Sequence, residues 1–133
     1  MPASLVRHFT ICCLTLCLYS ACGHADDNAV IVTTCHFANA EWGSEMIERC
    51  VNHNKTVRAE VIERFAQHER ILNRCRTKDE LGWDWVKTCI ERDVSAEAAL
   101  ASYPSESAKR VDACRKQFAS LGAARVKACV DEP

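Results

Sequence analysis

From Val30 onward the apolar residues advance by three or four positions. Trp83, Val86, Ile90 and Val94 fall on one stripe, as do Ala108, Val111, Cys114, Phe118 and Leu121. Val57, Val61, Phe65, Ile71-Leu72 and Cys75 follow the same rule with one gap. A period near 3.6 gathers such positions on one face of an α-helix, and no stretch alternates strictly over strand length. The residues between are largely Ala, Glu, Arg, Lys, Leu and Gln, which lose little freedom in a helix. The pattern predicts an all-α chain.

The helix breakers are few. Beyond Val30, Gly occurs only at Gly43, Gly82 and Gly122, and Pro only at Pro104 and Pro133. Each Gly suits a helix C-terminus or a tight turn, because it tolerates φ > 0. Tyr103-Pro104-Ser105 marks another break, with Ser105 as a cap for the next helix. The expected helices are 28–42, 44–63, 66–80, 83–102, 105–121 and 123–131. Between the first Gly and Cys75 the turn is open: Asn52-His53-Asn54, Arg64-Phe65, or no turn, with 55–75 as one helix. Thr77 to Glu80 reads as a capping box, which competes with a helix running to Gly82.

The breaks recur in step with cysteines. Cys35–Cys50, Cys75–Cys89 and Cys114–Cys129 each enclose a Gly seven residues before the second Cys. A bulky apolar residue precedes each Gly (Trp42, Leu81, Leu121), and a β-branched one follows the second Cys (Val51, Ile90, Val130). Another branched residue stands three before that Cys (Ile47, Val86, Val126). First cysteines are 40 and 39 apart, second ones 39 and 40. Five features in step predict about three copies of an antiparallel helical hairpin.

A turn at each Gly sets the flanking cysteines about 11 Å away along either arm, at one level. Cys50 with Cys75 and Cys89 with Cys114 are also level across the second kind of turn. That alternative strands Cys35 and Cys129 at opposite ends, whereas pairing within each copy uses all six. Expected disulfides are therefore Cys35–Cys50, Cys75–Cys89 and Cys114–Cys129.

Composition adds compartment. Arg7-His8, an apolar run from Phe9 to Tyr19, then Ala21, Gly23 and Ala25 before Asp26-Asp27 have the layout of a secretory signal peptide. The apolar core is shorter than the roughly 20 residues that span a bilayer. The expectation is a leader over 1–25, cleaved after Ala25, and a single disulfide-stapled domain over 26–133 in the periplasm or outside the cell. A rival reading takes Tyr19-Ser20-Ala21-Cys22 as a lipoprotein box, with Tyr where Leu is usual, lipid on Cys22 and a tethered mature chain. Four of the ten Cys (Cys12, Cys13, Cys17, Cys22) lie in the leader, and the other six point to an oxidising compartment.

The formal charge of the whole chain is −1, and residues 1–25 hold one of its 17 basic residues and none of its 18 acids. The mature domain is thus close to neutral, with acids and bases interspersed. No nucleic acid is implied as a partner, and no membrane except through a Cys22 lipid.

The hairpin with a central Gly-Trp or Trp-Gly, followed by a Tyr-Pro in the connecting segment, resembles uncharacterised small secreted or periplasmic proteins of Gram-negative bacteria. Their repeats look like Tyr-Pro, Cys, Gly-Trp, Val, Cys-Val. Here Tyr103-Pro104, Cys114, Gly122, Val126 and Cys129-Val130 give nearly the whole unit, with Ala123 in place of Trp. Gly82-Trp83, Val86 and Cys89-Ile90 give the Trp copy. The resemblance covers most of the mature chain and implies export and a helical repeat, but no activity.

Chemistry is sparse. Cys35-His36 and Cys50-x-x-His53 sketch a Cys2His2 metal site, but zinc needs thiolates and an oxidising compartment removes them. His36, His53 and His68 are expected to face solvent, and no metal or other cofactor is expected. Trp42, Trp83 and Trp85 are weak candidates for a ligand-stacking platform, against packing on the disulfide hairpins. Glu45/Glu48 and Glu60/Glu63, with Arg49, Arg58 and Arg64 nearby, read as solvated faces with ion pairs rather than acid/base couples. No short Cys-x-x-Cys suggests thiol-redox work. The expectation is a non-enzymatic exported helical protein that binds an unknown protein or envelope component as an inhibitor, immunity factor or adaptor. The alternatives are a small envelope enzyme or redox/metal-handling factor, and a structural or stress-related periplasmic lipoprotein.

Overall fold

The computed structural model describes residues 22–132, with side chains from Asp27 on. Helices α1 (Cys22–Asn39), α2 (Ser44–Arg64), α3 (Glu69–Arg76), α4 (Trp83–Ala101), α5 (Ala108–Phe118) and α6 (Ala123–Asp131) follow one another without a strand among the described residues. Short 3-10 turns occupy the joints at Ala40–Trp42, Ala66–His68, Asp79–Leu81, Ser105–Ser107 and Ala119–Leu121. No helix among the described residues is long and apolar enough to cross a membrane.

Three disulfides clamp these helices: Cys35–Cys50 joins α1 to α2, Cys75–Cys89 joins α3 to α4, and Cys114–Cys129 joins α5 to α6. Their Cα–Cα separations of 5.7, 5.8 and 5.8 Å lie within the range a disulfide spans without moving the backbone.

The three turns inside these loops share one conformation. A 3-10 turn ends on a bulky apolar residue, and the Gly that follows has φ of 84°, 90° or 98° with ψ of 173°, 159° or 165°. That is not the left-handed helical region expected at a helix C-terminus. It is an extended region at positive φ that is essentially confined to glycine, since any Cβ strains it. The same Gly opens the next helix: its carbonyl accepts from the N–H of Ile47, Val86 or Val126 at 3.2–3.3 Å.

Several expectations change. Helix α1 begins at Cys22 rather than 28 and gives way to the 3-10 turn after Asn39, so the expected cleavage point after Ala25 falls within it. The rest of the leader lies outside the described residues, and so does the Cys22 side chain. The open turn lies at Phe65, whose N–H donates to Val61 O at 3.0 Å; Asn52 to Asn54 stay helical. The capping box does not form: Thr77 Oγ1 donates backwards to Arg74 O at 2.8 Å, because α3 has already ended at Arg76. Ser105 does not cap α5 either, since Ser105–Ser107 is itself a turn with Pro104 before it.

Among the described residues, two apolar clusters form the core. The larger lies among α1 to α4 and centres on Trp83, Ile71, Ile90, Val61 and Val86, with the first two disulfides buried against it. The smaller gathers Leu100, Val111, Cys114, Val126 and Val130 among α4, α5 and α6. The Tyr103 hydroxyl donates to the Asp131 carboxylate and so fastens the Tyr-Pro segment to the end of α6.

Candidate functional site

A polar side chain, half-buried at Asn54 and buried at Asp93, passes from each of the first two disulfides to the next glycine turn. Asn54, four residues after Cys50, donates from Nδ2 to Cys50 O at 3.0 Å and lies 3.6–3.7 Å from both sulfurs of the first disulfide. Its Oδ1 accepts the Trp83 N–H at 2.8 Å, at the start of α4. Asp93, four residues after Cys89, accepts the Ala124 N–H at 2.9 Å, at the start of α6. One of its oxygens lies within 4.8 Å of the Cys75 and Cys89 sulfurs. A glycine has no side chain with which to cap the helix it opens, so the acceptor comes from the preceding pair of helices. At least one otherwise unpaired N–H is thereby satisfied in each case.

The Asn/Asp difference follows from the neighbours. Asp93 is 2% exposed and pairs with Arg74, the residue before Cys75. Before Cys35 stands Thr34, which offers no charge, and there the neutral amide serves. The trio Cys75, Cys89 and Asp93 has the look of a metal cluster, but the two sulfurs are bonded to each other and are not thiolates.

A second buried carboxylate, Asp27 at 6% exposure, ties α1 to α2 and α3. It accepts from Arg58 at 2.9 and 3.1 Å and from Arg76 at 2.7 and 2.9 Å. Arg58 therefore turns inward, 5.8 Å from the centre of the Trp83 ring, and not onto the solvated face expected from its neighbours. The cause is distant in sequence: Asp27 needs two guanidiniums to be buried as an anion. Burial, and then the negative charge of Asp27, hold Asp79 above its ordinary 3.8.

The candidate residues scatter. Trp83 is 1% exposed and belongs to the core, Trp85 is half-buried, and Trp42 is 72% exposed. The three form no common platform, and Trp42 does not pack on its hairpin as expected. His36 is exposed, His68 is half-buried beside Phe65, and His53 Nε2 lies 2.7 Å from Asp84 Oδ2 on an open surface. Glu45 pairs with Arg49 at 2.6 Å, and Glu60 with Lys87 at 2.8 Å.

Sequence reasoning missed two surface features. Leu81 and Leu121, like Trp42, are exposed, at 56% and 63%. Their shared register before each Gly was visible, but their exposure depends on how the turn presents them. A cleft of about 580 Å³ also opens between α3 and the last two helices. Arg70, Arg74 and Arg115 line it with Glu97, over Leu100 and Val126. Arg70 holds Glu97 at 2.8 Å. Burial lowers the Arg74 guanidinium from its ordinary value, and the positive charge of Arg70 lowers it further. Comparison with protein-family models, curated proteins and solved structures finds no match to this chain.

Proposed function

We propose that the chain is an exported, non-enzymatic binding module of the bacterial envelope, built from three copies of one disulfide-stapled hairpin and acting on a protein partner. The observation that carries the reading is the exposure of Trp42, Leu81 and Leu121, one bulky apolar residue at the tip of every hairpin. Isolated exposed apolar residues are ordinary, but the same register three times is a pattern. The paired use of Asn54 and Asp93 supports a common unit, since both lie four residues beyond a disulfide and both cap the next glycine turn.

Three disulfides suit an oxidising compartment, and the leader over 1–25 provides the route there. The near-neutral charge argues for a protein partner rather than nucleic acid. An inhibitor, an immunity factor or an adaptor would each use exposed apolar tips in this way.

The test compares partner capture by the oxidised exported protein with capture by the triple variant Trp42→Ala, Leu81→Ser, Leu121→Ser. The reading expects the variant to keep its melting temperature and lose the partner. Retention of the partner by the variant would contradict it, as would complete loss on changing His36, His53 or His68 to Ala with the fold intact.

A further inference from the structure

We propose that the cleft between α3 and α5–α6 binds an organic carboxylate, with its headgroup held by Arg70 and Arg115 and its apolar stem over Leu100 and Val126. The inference is independent of the reading of the exposed apolar tips and stands or falls without it.

The charges on the walls are unequal. Three guanidiniums and one carboxylate line the cleft; Glu97 pairs with Arg70, and Asp93, buried behind the lining, pairs with Arg74. Arg115, exposed on α5, has no ion pair among the described residues. The cleft therefore carries a surplus positive charge on a side chain free to close on a ligand. Arg70 is also accessible, with its side chain 86% exposed and its carboxylate partner at the surface, where such pairs exchange readily.

The floor selects the class of anion. Leu100 and Val126 belong to the smaller core cluster, and the edges they leave at the cleft floor, 6% and 3% exposed, offer an aliphatic stem a small apolar contact. Two forked guanidiniums suit the planar geometry of a carboxylate. A single surplus charge matches a monoanion better than a phosphate dianion. Free short-chain acids and glutamate side chains of a peptide share this chemistry.

Isothermal titration of the oxidised protein with octanoate, with an acetylated Leu-Leu-Glu peptide amide and with inorganic phosphate tests the site. The proposal expects octanoate or the peptide to bind and phosphate to bind more weakly; the tighter of the two carboxylates identifies the source. Arg115→Glu should weaken binding by at least about tenfold, as the loss of a charged contact implies. Lys116→Glu makes the same charge change on the same helix outside the cleft lining and should alter binding less than about twofold. Glu97→Gln should tighten binding by freeing Arg70. Absence of carboxylate binding, phosphate binding as tight as octanoate, or equal loss in Arg115→Glu and Lys116→Glu would each overturn the proposal.

Discussion

Asn54 and Asp93 stand 39 residues apart and do the same work: each lies against a disulfide and hands an oxygen to the first turn of a helix in the following pair. The helices begin at glycines that cannot cap themselves, so one pair of helices completes the next. Capping in most helices is local; here it joins one disulfide-linked pair of helices to the next.

Removing these acceptors should destabilise unequally. Asn54→Ala should cost about 1–2 kcal/mol, the loss of a helix cap. Asp93→Ala also strips Arg74 of its partner and should cost about 3–5 kcal/mol, whereas Asp93→Asn should fall between because the cap survives. Denaturant midpoints at constant slope measure all three. Equal losses for Asn54→Ala and Asp93→Ala would show that the Arg74 pair contributes nothing.

The glycines should rank by their surroundings. Each sits at positive φ, so alanine costs about 1–3 kcal/mol from backbone strain alone. A Cβ at Gly43 meets nothing within 4 Å, and one at Gly82 approaches Asn54 Oδ1 at 3.4 Å. At Gly122 it would lie 2.5 Å from Asp93 Oδ2 and 2.9 Å from the Arg74 guanidinium. Alanine variants should therefore lose stability in the order Gly43, Gly82, Gly122, read by melting temperature. A loss at Gly43 equal to that at Gly122 would leave backbone strain as the whole effect.

Much of this was legible from one sequence because it is periodic or local. The 3.6-residue period of Trp83, Val86 and Ile90 placed α4 within a residue at its end, and the parity of six cysteines selected pairs that the geometry accommodates. The trans caps were not legible. Asn54 read as a possible turn residue because nothing nearby shows that its acceptor is needed 29 residues later. Arg58 read as a surface residue because Asp27, which draws it inward, is 31 positions away. Trp42 and Trp83 are both aromatic beside a Gly, yet one precedes the turn and faces solvent while the other follows it and fills the core. The Arg-lined cleft joins α3 to α5 and α6, and no spacing rule links them.

That contrast between the two tryptophans is measurable. Trp83→Ala should cost about 3–5 kcal/mol, as for a large buried side chain, and Trp42→Ala should stay within about 0.5 kcal/mol of the parent. Comparable losses at both would mean that Trp42 is packed.

Asp79 gives a pH dependence with a definite sign. Its folded pKa lies above its ordinary 3.8, raised first by burial and then by Asp27. The folded state thus binds the proton more tightly than the unfolded chain, so this group lowers stability as pH rises from 3.8 through its folded pKa. Asp79→Asn should raise the melting temperature at pH 7, with the gain fading as the pH falls through that window. A gain that grows on acidification would reverse the assignment.

Non-reducing peptide mapping with intact-mass analysis tests most directly the pairing of cysteines across each glycine turn together with the proposed export. The account predicts fragments linking Cys35 to Cys50, Cys75 to Cys89 and Cys114 to Cys129, no free thiol, and a mature chain beginning at Asp26. A fragment joining Cys50 to Cys75 or Cys89 to Cys114, or an exported chain that retains Met1, would contradict it.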